Sequence, residues 1–254
     1  MPDEFPADSY LKFQKKMPGA TYVIQPSIKM CFDDGKLAVG KRVFDAGCGR
    51  GFHTKRFLEW GASFIFGIDN SVEMIDEAKE YLPKTPNVHL EVQSIVDLKI
   101  PSDIEKFDVV TSIFVLHFIN KREDLRKAIH NLSCLLKSGG TLIACFPNFE
   151  AGFEWPRDEA LKFGIGMSFD ESAGFKDGLA AKINIYQGNE IKVSMGAYLW
   201  LRSTYQEFLE EAGFEKIDFL SPIVSEEGKN EFGAEFFHNL LNPPKDIFVK
   251  AVKK

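Results

Sequence analysis

The residues with the clearest chemical meaning form a seven-residue run, Asp45-Ala46-Gly47-Cys48-Gly49-Arg50-Gly51, followed downstream by an acid, Asp69. Alternating glycines let a backbone turn sharply and approach a ligand with no Cβ in the way. The run follows an apolar stretch, Lys41 to Ala46, and precedes an amphipathic one, Phe52 to Trp60, so it stands at a strand-to-helix junction. In an open α/β sheet that junction lies at the carboxyl ends of the strands, where ligands bind. Asp69 closes the next apolar run, Phe64 to Asp69, where a carboxylate can accept both hydroxyls of a ribose.

The glycine spacing separates two kinds of ligand. The dinucleotide pattern G-x-G-x-x-G would put a small residue at the sixth position from Gly47, but Phe52 stands there and the spacing is G-x-G-x-G. Asp45, just ahead of the loop, would repel a pyrophosphate and suits an α-ammonium. A nucleoside with an ammonium-bearing tail satisfies both acids, and S-adenosylmethionine is such a molecule. An NAD-dependent oxidoreductase would share the sheet and the ribose acid and stands as the alternative, with the spacing against it.

Short apolar runs alternating with amphipathic stretches predict the elements that position these residues. Strands are expected over 41–46, 64–69, 88–92, 107–115, 141–146, 214–220 and 246–252, with helices over 52–60, 71–82, 121–136 and 203–212. Ser71 is an N-cap candidate, and Glu73 falls in the first helical turn, where an acid is favoured. The expected fold is an α/β, Rossmann-like, seven-stranded and mostly parallel sheet with helices on both faces. Residues 1–38 form an N-terminal cap and 147–201 an insertion after strand five, within a single domain of 1–254. In the insertion the alternation is lost and aromatics accumulate, so an irregular, functional segment is expected there.

Composition narrows the classes. With 254 residues, 44% hydrophobic and 27% charged, the chain fits one globular domain. Its 31 basic and 37 acidic residues give a net charge of −6, which argues against a nucleic acid as partner. Cys31, Cys48, Cys134 and Cys145 form no C-x-x-C pair and no zinc spacing, so no metal site is expected and a reducing, cytoplasmic setting fits. No apolar run reaches the roughly 18 residues that a membrane span requires, and the first residues do not read as a secretory signal.

On these motifs the sequence resembles the class I S-adenosylmethionine-dependent methyltransferases along most of its length. Val43 to Gly51 (VFDAGCGRG) matches their first motif, and Asp69 within GIDNS matches their ribose acid. FDVVTSIFVLHF matches the fourth motif and LKSGGTLIACF the fifth. The resemblance implies that Asp45, Gly47, Cys48, Gly49 and Gly51 hold the methionine side, that Asp69 and Asn70 hold the ribose, and that Met74 flanks the adenine. Ser94 and Ile95 would form the adenine edge, Ser94 standing where the family often carries an acid, and Ile113 and Phe114 would complete the pocket. It also implies S-adenosylmethionine as cofactor, S-adenosylhomocysteine as product, and a small-molecule acceptor on a monomer or homodimer. A non-catalytic cofactor-binding subunit is the second alternative.

Methyl transfer from a sulfonium is an in-line displacement, so alignment matters more than a base, which is needed only for a protonated acceptor. His117, just after strand four, is the candidate base or orienting group, or else a histidine packed under the next helix. Tyr22 from the cap and Trp155, Tyr186, Tyr198 and Trp200 from the insertion are the candidate acceptor walls, with Tyr10 and Phe13 also able to close over the site. Cys145 reads as a core thiol, and Asn242-Pro243-Pro244 as a plain turn.

Overall fold

The computed structural model describes residues 17–100, 104–151, 156–170, 172, 174 and 176–254. The strands are β1 Arg42–Ala46, β2 Phe64–Asp69, β3 Val88–Val92, β4 Phe107–Ile113, β5 Leu136–Pro147, β6 Ile165–Phe169, β7 Leu179–Gln187, β8 Glu190–Leu199, β9 Phe214–Leu220 and β10 Asp246–Lys253. The helices are α1 Gln25–Cys31, α2 Phe52–Glu59, α3 Val72–Tyr81, α4 Arg122–Leu135, α5 Arg157–Phe163, α6 Arg202–Glu211, α7 Glu226–Phe232 and α8 His238–Leu241. Seven strands form one sheet in the order β3-β2-β1-β4-β5-β10-β9. Pairing is parallel from β3 across to β5, and β10 runs antiparallel to both of its neighbours. The strand order reverses between β1 and β4, and at such a switch point the connections leave on opposite faces and open a crevice.

The central strands are buried on both sides because successive side chains point to opposite faces. Phe44, Phe66, Val110 and Leu142 pack with Leu125, Ile129 and Leu132 of α4 and Tyr205 and Phe208 of α6. On the other face Val43, Ile65, Val109 and Ile143 pack with Phe57 of α2 and with Ile28 and Phe32. Each such phenylalanine or leucine contributes about 2 kcal/mol of burial relative to exposure. Ser71 caps α3, its Oγ accepting from Met74 N at 3.2 Å, as its position in the sequence predicts. Among the described residues no helix is long and apolar enough to cross a membrane.

The insertion departs from expectation. Its described residues are largely regular: α5 is followed by a three-stranded antiparallel sheet, β6-β7-β8. Its inward positions do alternate, with Ile183 opposite Met195 and Ile185 opposite Val193. Gly188, at φ 56°, helps close a two-residue turn between Gln187 and Glu190. The apolar face packs on Met17, Ala20 and Phe118, so the small sheet lies over the turn that follows β4. On the other face Asn184 Nδ2 donates to Ser168 Oγ at 3.0 Å and Ser194 Oγ donates to Asn184 Oδ1 at 2.8 Å, tying the three strands together. Asp177 joins this unit to the main body: it accepts from Leu201 N at 2.8 Å, Thr204 Oγ1 at 2.6 Å and Arg122 Nη1 at 2.9 Å.

Candidate active site

The glycine loop folds back onto the end of β2. Gly47 N and Cys48 N both donate to Ile68 O at 2.8 Å, and Gly49 N donates to Asp69 Oδ2 at 2.9 Å. The other Asp69 oxygen accepts from Ser71 N at 3.0 Å, so backbone amides hold both oxygens of the carboxylate. Burial raises the pKa of Asp69, with the amides of Ser71, Gly49 and Asn70 opposing it. The glycines serve different ends. A Cβ on Gly47 would stand 2.2 Å from Val115 Cγ2, and one on Gly51 would stand 2.7 Å from Leu82 Cδ1. At Gly49 a Cβ would point into open space, with Met74 Sδ as its nearest neighbour at 4.0 Å. Gly47 and Gly51 are thus required by packing, whereas Gly49 keeps a space clear.

Asp45 lies deeper, at 2% exposure. Thr54 Oγ1 donates to its Oδ2 at 2.6 Å and Thr111 Oγ1 to its Oδ1 at 2.8 Å. Burial pushes its pKa up to about 6, partly offset by the two hydroxyls, and the nearby Asp69 charge adds to the rise. No lysine or arginine is bonded to Asp45 or Asp69 among the described residues; Arg50, within the loop, pairs with Glu77 instead. The site therefore carries two carboxylates without a fixed cation. That donor set fits a ligand that brings its own positive charge, such as a sulfonium with an α-ammonium, and disfavours a pyrophosphate.

The end of β4 supplies the opposite wall. Phe114 takes a left-handed φ of 57°, which costs a bulky residue about 1–2 kcal/mol and is held by a bond from its N–H to Cys145 O at 2.8 Å. Ile113 is buried just before it. His117 is 1% exposed on a short 3-10 turn, its ring 4.2 Å from that of Phe118, and its Nδ1 has no hydrogen-bond partner among the described residues. Burial takes its pKa down to about 3, so the imidazole is neutral near pH 7.

The remaining candidates are spread more widely. Cys48 and Met74 are buried beside the loop, and Asn70 is exposed next to Asp69. Ser94 Oγ accepts from Val96 N at 3.2 Å, and Ile95 belongs to the core on the α4 side. Trp200 is a core residue whose Nε1 donates to Ile119 O at 2.9 Å. Tyr22 packs on Phe232 of α7 and bonds Glu231, while Tyr186 lies against Gly166. Tyr198 is half-buried at the edge of the main core. Trp155, Tyr10 and Phe13 lie outside the described residues. Sequence reasoning missed Thr54, Thr111 and Val115; the one available signal was the polar Thr111-Ser112 pair inside an apolar strand.

Residues 43–140 match a family model described as a methyltransferase domain. The matched stretch runs from β1 into β5 and holds the glycine loop and Asp69, so in that part the chain is similar to methyltransferase domains. The fold of that domain extends well beyond the matched stretch. An S-adenosylmethionine-dependent methyltransferase from Mesorhizobium loti superposes with a TM-score of 0.64 at 19% identity, over 94% of this chain and 100% of that one. The magnesium protoporphyrin IX methyltransferase of Synechocystis, with bound S-adenosylmethionine, superposes at 0.55 and 18% identity, over 97% and 82%. In sequence, the tRNA U34 carboxymethyltransferase of Pseudomonas putida is 35% identical over 103 residues, 39% of this chain and 31% of that one. A Haemophilus influenzae protein is 36% identical over 111 residues, 41% of each chain. The chain thus spans less than half the length of these curated relatives. The relatives that bear a tRNA name overturn the expectation of a small-molecule acceptor with a nucleic acid disfavoured. The physical reason is that net charge sums the whole surface, whereas nucleic acid reads a local one, so −6 excludes nothing.

Proposed function

We propose that this protein transfers a methyl group from S-adenosylmethionine to a nucleophile on a tRNA. The observation that carries the cofactor half is the pair of carboxylates without a bonded cation, beside the open face of Gly49. Asp69, oriented by two backbone amides, accepts the ribose hydroxyls, and Asn70 lies beside it. Met74 and the Ser94–Ile95 edge receive the adenine. Gly47, Cys48, Gly49 and Gly51 shape the methionine side, where the charge of Asp45 favours the ammonium, and Ile113 and Phe114 form the wall facing them. The cofactor supplies an electrophilic methyl on sulfur. The chain aligns the acceptor with it and keeps water out, an effect worth about 7–11 kcal/mol at best. A neutral His117 orients rather than deprotonates, since a group with a pKa of about 3 is a poor base at neutral pH. The small sheet β6-β7-β8, set over the turn after β4, is read as the acceptor side, with Tyr186 and Tyr198 in it and Trp200 directly after it. The tRNA half is supported by the relatives of that name, which match 39% and 41% of the chain.

The test is tritium transfer from methyl-labelled S-adenosylmethionine into total tRNA. Label is expected in the RNA with the wild-type protein and none with Asp69→Ala, whose circular dichroism should be unchanged. Equal labelling by the variant would remove the ribose assignment, and no labelling by the wild type would remove the tRNA acceptor.

A further inference from the structure

One acid that the cofactor site does not use has surroundings that a plain structural role leaves unexplained. Asp246 opens β10 opposite Pro147, the last residue of β5. Because β10 is antiparallel, its first residue lies at the carboxyl edge of the sheet, the edge that carries the glycine loop. Phe248, two residues on, packs in the core with Ile113 and Cys145, and Phe114 packs against the same core. Side chains alternate along a strand, so Asp246 is on that face too. Phe114, bonded to Cys145 O, and Asp246, paired with Pro147, therefore flank the end of β5 from its two sides, about 10 Å apart at two strand spacings.

The Asp246 carboxyl has no hydrogen-bond or ion-pair partner among the described residues, although it is only partly exposed. Burial, with nothing to compensate it, pushes its pKa up to about 7. An enclosed and unpaired carboxyl costs the fold stability. Natural chains keep such a cost mainly where a site needs the group.

We propose that Asp246 is a catalytic residue on the acceptor side, taking the proton from an acceptor nucleophile that is a hydroxyl or a ring N–H. The inference rests on the methyl-transfer reading above. A lone pair of the nucleophile forms the new bond to the methyl carbon while the carbon–sulfur bond breaks and its electron pair stays on sulfur. The proton lost by the nucleophile passes to a carboxylate oxygen of Asp246 and from there to solvent. No oxidant, reductant or second reactant enters.

Asp246→Asn keeps the shape and removes the base. Three measurements on the full chain decide its role: calorimetric titration with S-adenosylhomocysteine, thermal melting without ligand, and tritium transfer to total tRNA. The expected result is affinity within twofold of wild type, a melting temperature equal or higher, and transfer at least a hundredfold slower, the low end of general-base contributions. Transfer at the wild-type rate would overturn the proposal. So would a melting temperature several degrees lower, because the carboxyl would then be holding the fold together. If wild-type protein labels no tRNA, the melt decides alone: equal or higher supports the proposal, lower overturns it. Failure of the wild type to bind S-adenosylhomocysteine is a separate result and counts against the methyltransferase reading instead.

Discussion

Within the loop, neighbouring glycines have opposite reasons to exist, and substitution separates them. Gly47→Ala drives a methyl to within 2.2 Å of Val115 at φ 71°, so a loss of about 2–4 kcal/mol in urea unfolding is expected. Gly49→Ala meets nothing closer than 4.0 Å and costs about 1 kcal/mol of backbone strain at φ 51°. Its effect should fall on S-adenosylhomocysteine affinity, weakened at least tenfold in calorimetry. The reverse pattern would mean that the open space is not the ligand's. Asp45 gives a pH signature. Its pKa is about 6 in the folded protein against 3.8 as a free side chain, so the folded state holds the proton more tightly. Its contribution to stability is therefore full below about pH 4 and is lost as pH rises through 6, a change of about 3 kcal/mol. Relative to Asp45→Asn, the wild type should lose that much between pH 4 and 7 in parallel urea melts; a flat difference would contradict the buried placement. The acids themselves were legible in the sequence, because their spacing from the glycines is local. Their partners were not, since Thr111 reaches Asp45 only through the pairing of β4 with β1.

The elements divide in the same way. The strands and helices that carry the loop follow from runs of apolar residues bounded by clear stops, and Ser71 capped its helix as its position indicated. The strands of the insertion are hidden in the sequence because its aromatics and glycines mask a period of two: Ile183 and Ile185 on β7, then Val193, Met195 and Ala197 on β8, with Gly188-Asn189 between. Trp200 drew attention as an acceptor wall, but its indole N–H is taken by Ile119 O and its ring by the core. What holds the small sheet over the turn after β4 includes a polar joint. Asp177 accepts from Leu201 N, Thr204 Oγ1 and Arg122 Nη1, linking the insertion to α4 and α6. Asp177→Ala removes all three hydrogen bonds and should cost about 2 kcal/mol. Hydrogen exchange should speed up across β6–β8 while the main sheet stays protected. Uniform loss across both sheets would mean that the joint holds the whole fold rather than the insertion.

At the scale of the molecule, the reversal of strand order between β1 and β4 sets the glycine loop against Phe114 and His117, and β2 brings Asp69 alongside. Net charge proved a poor guide to the partner because it averages over the whole surface. It is the sign of the charge at one spot that matters: two acids, no bonded cation, and room for a ligand at Gly49. The fold alone would serve a nicotinamide enzyme equally well, so the decision rests on which ligand that spot accepts. Calorimetric titration of the wild-type protein with S-adenosylhomocysteine and, separately, with NAD tests this most directly. One saturable site for S-adenosylhomocysteine and no heat with NAD is the predicted result. Binding of NAD, or of neither ligand, would contradict it.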